Sequence, residues 1–176
     1  MFCVQNILCA SVFQRRKIML RKILSPDTCA RCRLCCQFDA SDIWELPVLP
    51  GETVSAVQKL RPDTAFTSVD EEYTFASPAL SGEELFACPV LTDCGCGLTP
   101  EDKPFDCKIW PFRLMKGEDG SCVVAVSELC EGIKHLSDDA LRKFLMDEGL
   151  GEMCFAYAEE HPAHVKPFMK GYRIIL

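Results

Sequence analysis

Four of the chain's thirteen cysteines fall within eight residues, Cys29, Cys32, Cys35 and Cys36, and a second group, Cys88, Cys94, Cys96 and Cys107, follows further on. Cysteines two residues apart let one tight turn aim both sulfurs at a common target, and thiolates are strong ligands for zinc and for iron–sulfur clusters. Crowded thiols left free would oxidise or cross-link. The spacing therefore favours metal ligation, and the segments between the cysteines read as scaffold for the sulfurs.

The compartment decides between metal and disulfides. Met1 to Phe13 carries Gln5 and Asn6 inside its apolar run and places its charges after that run. An export signal needs a basic start and about 7–15 uninterrupted apolar residues, so no signal peptide is expected. No stretch approaches the roughly 18 apolar residues of a membrane span, so no membrane partner is expected. A cytoplasmic location follows as the expectation, and in a reducing cytosol clustered CxxC spacing points to metal or redox chemistry rather than to a disulfide framework. A net charge of −7, with Arg15, Arg16 and Lys17 forming only a short basic group, argues against nucleic acid as a partner. No feature identifies a protein partner.

With 176 residues, 48% of them hydrophobic, the chain is large enough for one cored domain. Residues 1–24 read as an N-terminal extension, with Met19 as an alternative start and Cys3 and Cys9 as spectators. Residues 25–176 read as the cysteine-cluster metal-binding domain. Ser41 and Asp42 precede a helical turn over Ile43, Trp44 and Leu46 that Pro47 stops, and Glu52 to Leu60 reads as a helix ended by Pro62. The runs Phe66 to Phe75 and Leu85 to Leu91, with turn signals at Ser81 and Gly82, read as the two strands of a hairpin. Asp93 to Gly97 reads as a ligand loop, and Cys122 to Ser127 as a strand entered through the turn Gly117 to Gly120.

After Cys130 the pattern becomes helical. Ser137 is the expected cap of a helix with Leu141, Phe144, Leu145 and Leu150 on one face, and Asp138 and Asp139 stand near the positive end of its dipole. A second helix is expected from Glu152 to Glu160, and a short strand from Tyr172 to Leu176. The fold class is α+β: a small, irregular, metal-stapled domain with short strands and a helical C-terminal part.

Spacing narrows the chemistry further. In bacterial ferredoxins a C-x2-C-x2-C triplet and a remote cysteine followed by proline bind a [4Fe–4S] cluster. Cys29, Cys32 and Cys35 reproduce the triplet, and Cys88 precedes Pro89. Cys36 departs from that pattern. Neighbouring side chains in extended backbone point to opposite sides, so Cys35 and Cys36 serve different sites or the chain bends sharply there. On this reading Cys36 groups with Cys96, Cys107 and Cys130. An iron–sulfur cluster is favoured over zinc, whose closed sites more often arise from two separated CxxC pairs. Cys96 is preferred over Cys94 as a ligand.

The order Cys29-Ala-Arg-Cys32-Arg-Leu-Cys35-Cys36, Cys88-Pro89-Val90-Leu91, Gly95-Cys96-Gly97-Leu98 and Lys103-Pro104-Phe105-Asp106-Cys107-Lys108-Ile109-Trp110-Pro111 resembles the YkgJ-type cysteine-cluster family, a zinc- or iron-chelating domain. The resemblance spans residues 29 to 111 and extends to Cys130. It implies chelation through Cys29, Cys32, Cys35, Cys36, Cys88, Cys96, Cys107 and Cys130. The chain departs from the family by carrying Lys103-Pro104 in place of the usual Arg-Pro and by lacking a tyrosine after the Gly-Cys motif. A flagellin lysine methylase is similar to this family over its cysteine cluster, so the resemblance leaves both an iron–sulfur-dependent modifying enzyme and a zinc-stabilised interaction module as alternatives to a dedicated metal-binding protein.

Other features read as structure. Cys122 and Cys154 lie on apolar faces and are expected in the core. His161 and His164 flank Pro162, which favours a solvated turn, and His135 is expected to be exposed. The acidic pairs Glu71-Glu72, Asp138-Asp139 and Glu159-Glu160 read as solvated or helix-end charges. Trp110 is expected to shield the site from water. There is no Ser–His–Asp signature, and Gly95 and Gly97 lack the Lys-Ser/Thr of a phosphate loop.

Overall fold

The computed structural model describes residues 20–39, 43–69, 72–77 and 85–176. Cys3, Cys9, Met19, the expected caps Ser41 and Asp42, the turn residues Ser81 and Gly82, and Glu71 lie outside the described residues. The architecture is α+β, with both helices and small sheets.

The elements, in chain order, are α1 (Pro26–Cys32), β1 (Gln37–Asp39), α2 (Gly51–Leu60), β2 (Phe66–Val69), β3 (Glu72–Phe75), β4 (Leu85–Ala87), β5 (Leu91–Thr92), β6 (Gly95–Cys96), α3 (Phe105–Ile109), β7 (Phe112–Lys116), β8 (Cys122–Ser127), α4 (Asp138–Asp147), α5 (Leu150–Glu160), β9 (Lys166–Pro167) and β10 (Tyr172–Ile174). Single 3-10 turns occupy Leu20–Lys22, Leu34–Cys36, Ile43–Glu45 and Pro162–His164.

A four-stranded sheet ordered β10-β8-β7-β9 organises the C-terminal half; β7 and β8 are antiparallel and β9 runs parallel to β7. The β7–β8 turn is closed by Gly120 at φ 81° and by the Asp119 carboxylate, which accepts from the Ser121 N–H at 2.9 Å and from its hydroxyl at 2.6 Å. Side chains alternate along a strand. Phe112, Leu114, Val124 and Val126 thus enter one core with Leu141, Leu145, Leu150, Cys154 and Ala158 of α4 and α5, which cover that face. Met115 and Ala125 point the other way, toward Trp44, Trp110 and Tyr172. Arg113, flanked by Phe112 and Leu114, belongs to this second face, and it is only 5% exposed.

The expected Ser137 cap is present: its hydroxyl accepts from the Ala140 N–H at 3.2 Å, and Asp138 and Asp139 occupy the first turn. Replacing Ser137 by Ala is expected to lower stability by about 1 kcal/mol, read as a shift in the urea midpoint at unchanged slope. Leu150 does not continue that helix. Gly149, at φ 65°, breaks the chain in a left-handed residue, and Leu150 begins α5.

The expected long hairpin takes a different form. Phe66 to Phe75 folds back on itself, pairing Phe66 with Phe75 and Val69 with Glu72, while β4 pairs with β1 through Phe38 and Phe86. The sequence between Val69 and Glu72 has no Asn-Gly or Asp-Gly, the usual hairpin signal. Phe38, Leu46, Leu49, Val57, Phe75, Val90 and Leu98 form a second core, against which Cys88 and Cys96 pack. Leu24 is buried in the first core, with Leu20 and Ile23 packed against it.

Candidate metal centres

The first cysteine group is built by a helix that starts and stops abruptly. Pro26 opens α1 from Ser25, and Arg33 ends it in a left-handed conformation at φ 56°, its N–H returning to the Cys29 carbonyl at 3.0 Å. A non-glycine residue pays for this conformation in backbone strain, and the Arg33 side chain supplies compensating bonds: Nε donates to the Ala30 carbonyl and Nη2 to the Asp93 carbonyl, both at 2.9 Å. The triplet loop is thereby tied to the β5–β6 hairpin. The bend also resolves Cys35 and Cys36. They share a 3-10 turn, with their sulfurs 3.9 Å apart, instead of standing on opposite sides of an extended strand.

The second group is placed by strand register. The β1–β4 ladder continues one step, with the Cys88 N–H donating to the Cys36 carbonyl at 2.8 Å, so Cys36 and Cys88 lie side by side. Pairing of Leu91 with Cys96 turns the β5–β6 hairpin back toward Cys88. Cys107 comes from α3, whose Phe105 and Ile109 are buried. Cys35, Cys36, Cys88, Cys96 and Cys107 line one cavity of about 70 Å³ together with Lys103, Asp106, Trp110 and Arg113. Trp110 borders this cavity as expected.

Electrostatic coupling links the sulfurs in two groups that meet at Cys35 and Cys36. Burial pushes the Cys29 thiol up, and the charges of Cys35 and Cys32 add to that shift. Burial also raises Cys130; backbone N–H groups of Gly132 and Ile133 oppose this, while Cys29 and Cys32 push it further up. Cys36 responds to a different set. Contact with Cys35 lowers it, but contact with Cys88, burial, and the charges of Cys88 and Cys96 outweigh that and push it up to about 12. Solvent reaches Cys107, yet the chain encloses it closely enough for desolvation to raise its thiol; Arg113 opposes the shift, and Asp106, Cys96 and Cys36 reinforce it. Cys29 and Cys32 act on Cys130, Cys88 and Cys96 act on Cys36, and Cys35, which acts on Cys29, touches Cys36. Spacing alone places Cys88 with the triplet and Cys130 with Cys36.

Cys94 is exposed near the tip of the β5–β6 hairpin. Cys154 is fully buried in the main core, and Cys122 is half-buried at its edge. Among the described residues, no three cysteines bring all their sulfurs within 4.8 Å of one another. Four thiolates on one zinc ion, at about 2.3 Å each, stand closer together than that. Thiolates on a four-iron cube each hold a different iron, which spreads them more widely.

Positive charge sits beside the sulfurs. Lys103 opposes the upward shifts of both Cys29 and Cys35. Arg113 pairs with Asp106 through Nη1 at 3.0 Å and lies near Glu45 through Nη2 at 3.5 Å, with its guanidinium 5.3 Å from the Trp110 ring centre. Its Nε has no hydrogen-bond partner, and its Nη1 contact with Asp106 is an ion pair without hydrogen-bond alignment. A cavity with five thiols and a buried guanidinium whose N–H groups are incompletely used suits an anionic metal–thiolate centre, whose sulfurs accept N–H donors.

Gly95 holds the hairpin tip at φ 104°, with Ala30 of α1 3.9 Å from where a Cβ would stand. Gly95→Ala is expected to cost about 1–3 kcal/mol through backbone strain, and to loosen metal retention more than Gly120→Ala, which has comparable backbone but open space around it. Chelator-challenge half-lives of the two variants check this.

The histidines differ from expectation. His161 and His164 do flank a turn, but their rings stack at 5.0 Å, and His164 is largely buried with Nε2 against the Glu72 carboxylate. Glu72 is therefore paired rather than solvated. Pro162 signalled the turn correctly, but nothing in the local sequence signalled β3 packing against it. His135 is exposed. No helix among the described residues is long and apolar enough to cross a membrane.

No family model, curated protein or solved structure matches the chain.

Proposed function

We propose that the chain is a metal-binding protein that holds two inorganic centres through two four-cysteine sets, with iron–sulfur clusters favoured over zinc. The observation that carries this reading is the meeting of Cys35, Cys36, Cys88, Cys96 and Cys107, from segments far apart in sequence, around one cavity, with Cys29 and Cys32 close enough to Cys130 to raise its thiol. Burial and neighbouring sulfurs raise Cys29, Cys36, Cys107 and Cys130, so at neutral pH these stay protonated unless a cation stabilises the thiolates; metal binding then releases protons. The wide spread of the sulfurs and the C-x2-C-x2-C triplet favour clusters over single ions. The order of the cysteine motifs, which resembles the YkgJ-type family, points to the same chemistry in a reducing compartment. The bound group supplies either electron transfer or a rigid anionic core, while Lys103, Arg113 and Trp110 balance its charge and limit water around it.

Protein purified without oxygen is expected to be brown, with broad visible absorption, and to contain iron and acid-labile sulfide in equal amounts. Colourless protein containing zinc alone would replace the cluster reading with closed structural zinc sites. Folded protein with neither metal would contradict both.

A further inference from the structure

Away from the cysteines, three potential ligands meet where the end of α5 faces the start of β3. His161 caps α5, its N–H returning to the Tyr157 carbonyl at 2.8 Å, and the following 3-10 turn brings the His164 N–H to the His161 carbonyl at 3.0 Å. One ligand atom from each of Glu72, His161 and His164 lies within 4.8 Å of the others, and all three residues are half-buried.

The surroundings orient these ligands. Tyr157 Oη lies 2.7 Å from His164 Nδ1, which leaves Nε2 directed at the Glu72 carboxylate. A second-shell partner on one ring nitrogen is the usual device for presenting the other to a metal. Tyr157 is itself fixed, stacked on Phe105 with ring centres 3.6 Å apart and an interplanar angle of 2°. The C-terminal end of a helix carries partial negative charge, which also favours a cation there.

His164 Nε2 meets the Glu72 carboxylate with His161 beside it, so a carboxylate and two imidazoles are grouped as metal ligands are. We propose that Glu72, His161 and His164 bind a divalent first-row metal ion, zinc or iron(II), at a centre separate from the cysteines. Two imidazoles and one carboxylate leave coordination positions open, which is the pattern of catalytic zinc sites and of non-haem iron(II) sites rather than of closed structural ones. The inference does not depend on what the cysteines hold. It gives the chain a site able to activate water or bind an oxygen ligand, which four-thiolate coordination does not provide.

The test uses the full chain, kept oxygen-free with its sulfur-bound metal in place, and titrated with cobalt(II). Uptake of one equivalent with weak visible bands and no sulfur-to-cobalt charge transfer is expected. Glu72→Gln and His161→Ala should each weaken that uptake at least about 100-fold, Tyr157→Phe about 10-fold, and substitution of the exposed His135, His135→Ala, not at all. Glu72→Gln keeps the shape of the side chain, so it remains informative if His161→Ala fails to fold. Competition with zinc and with iron(II) then ranks the two ions. Absence of cobalt beyond sulfur-coordinated metal, or uptake unchanged in Glu72→Gln, would mean that only a proton bridges the pair and would overturn the proposal.

Discussion

Cys32→Ser should remove the metal of one centre, Cys36→Ser that of the other, and the double variant should purify without sulfur-bound metal; Cys154→Ser should leave metal content unchanged. The division follows from the packing. Cys32 adds to the upward shift of Cys130, Cys36 lies beside Cys88 across the β1–β4 ladder, and Cys154 is fully buried among the apolar residues of the main core. The structural penalty should be large. Binding free energy at thiolate sites is folding free energy, about 10–16 kcal/mol for structural zinc, which matches or exceeds the net stability of a typical domain. The Cys32 and Cys36 variants are therefore expected to show lost protection of the α1 and β5–β6 backbone amides while the α4–α5 layer remains protected. Iron, zinc and sulfide per chain, with hydrogen exchange, read both effects. Equal metal loss in Cys32→Ser, Cys36→Ser and Cys154→Ser would refute the separation of ligand from core cysteines.

Arg113→Met should destabilise the folded protein by about 3–5 kcal/mol, more than any surface ion-pair variant of this chain. Arg113 is almost fully buried, and Asp106, its closest carboxylate, has a side chain only 13% exposed. Removing the guanidinium leaves that carboxylate enclosed, with Lys166 Nζ still 3.9 Å away as a weaker counter-charge. Adding Asp106→Leu should recover part of the loss, because the cost arises from the unpaired carboxylate rather than from the missing arginine alone. By contrast, Lys143→Ala, which breaks an exposed pair with Asp147 at 2.7 Å, should change stability by less than about 1 kcal/mol. Urea melts of metal-replete protein measure all three. A double variant as unstable as Arg113→Met would show that the arginine acts through packing instead of charge.

Much of the architecture follows from local signals. Ser137, Gly149 and Pro162 mark helix ends through capping and backbone preferences that act over a few residues, and the unbroken apolar run from Cys122 to Val126 is that of a central strand covered on both faces. What local pattern does not encode is pairing at a distance. Leu85 to Ala87 has strand character, but its partner, Gln37–Asp39, carries two polar residues around Phe38 and gives no strand signal. That pairing brings Cys88 beside Cys36. Spacing singles out the clustered cysteines, while the strand register and the Arg33 bend decide which sulfurs face which. The Glu72–His164 contact likewise joins residues 92 positions apart, and Arg113 reaches the cavity only through the period of β7.

The central claim, that thiolates from distant segments hold inorganic centres on which the surrounding loops depend, is tested most directly by a native mass spectrum of the oxygen-free protein. A folded charge-state envelope whose mass exceeds that of the polypeptide by two cluster or ion increments, collapsing to an unfolded envelope as those increments are lost, is the result predicted. A folded envelope at the mass of the bare polypeptide would contradict it.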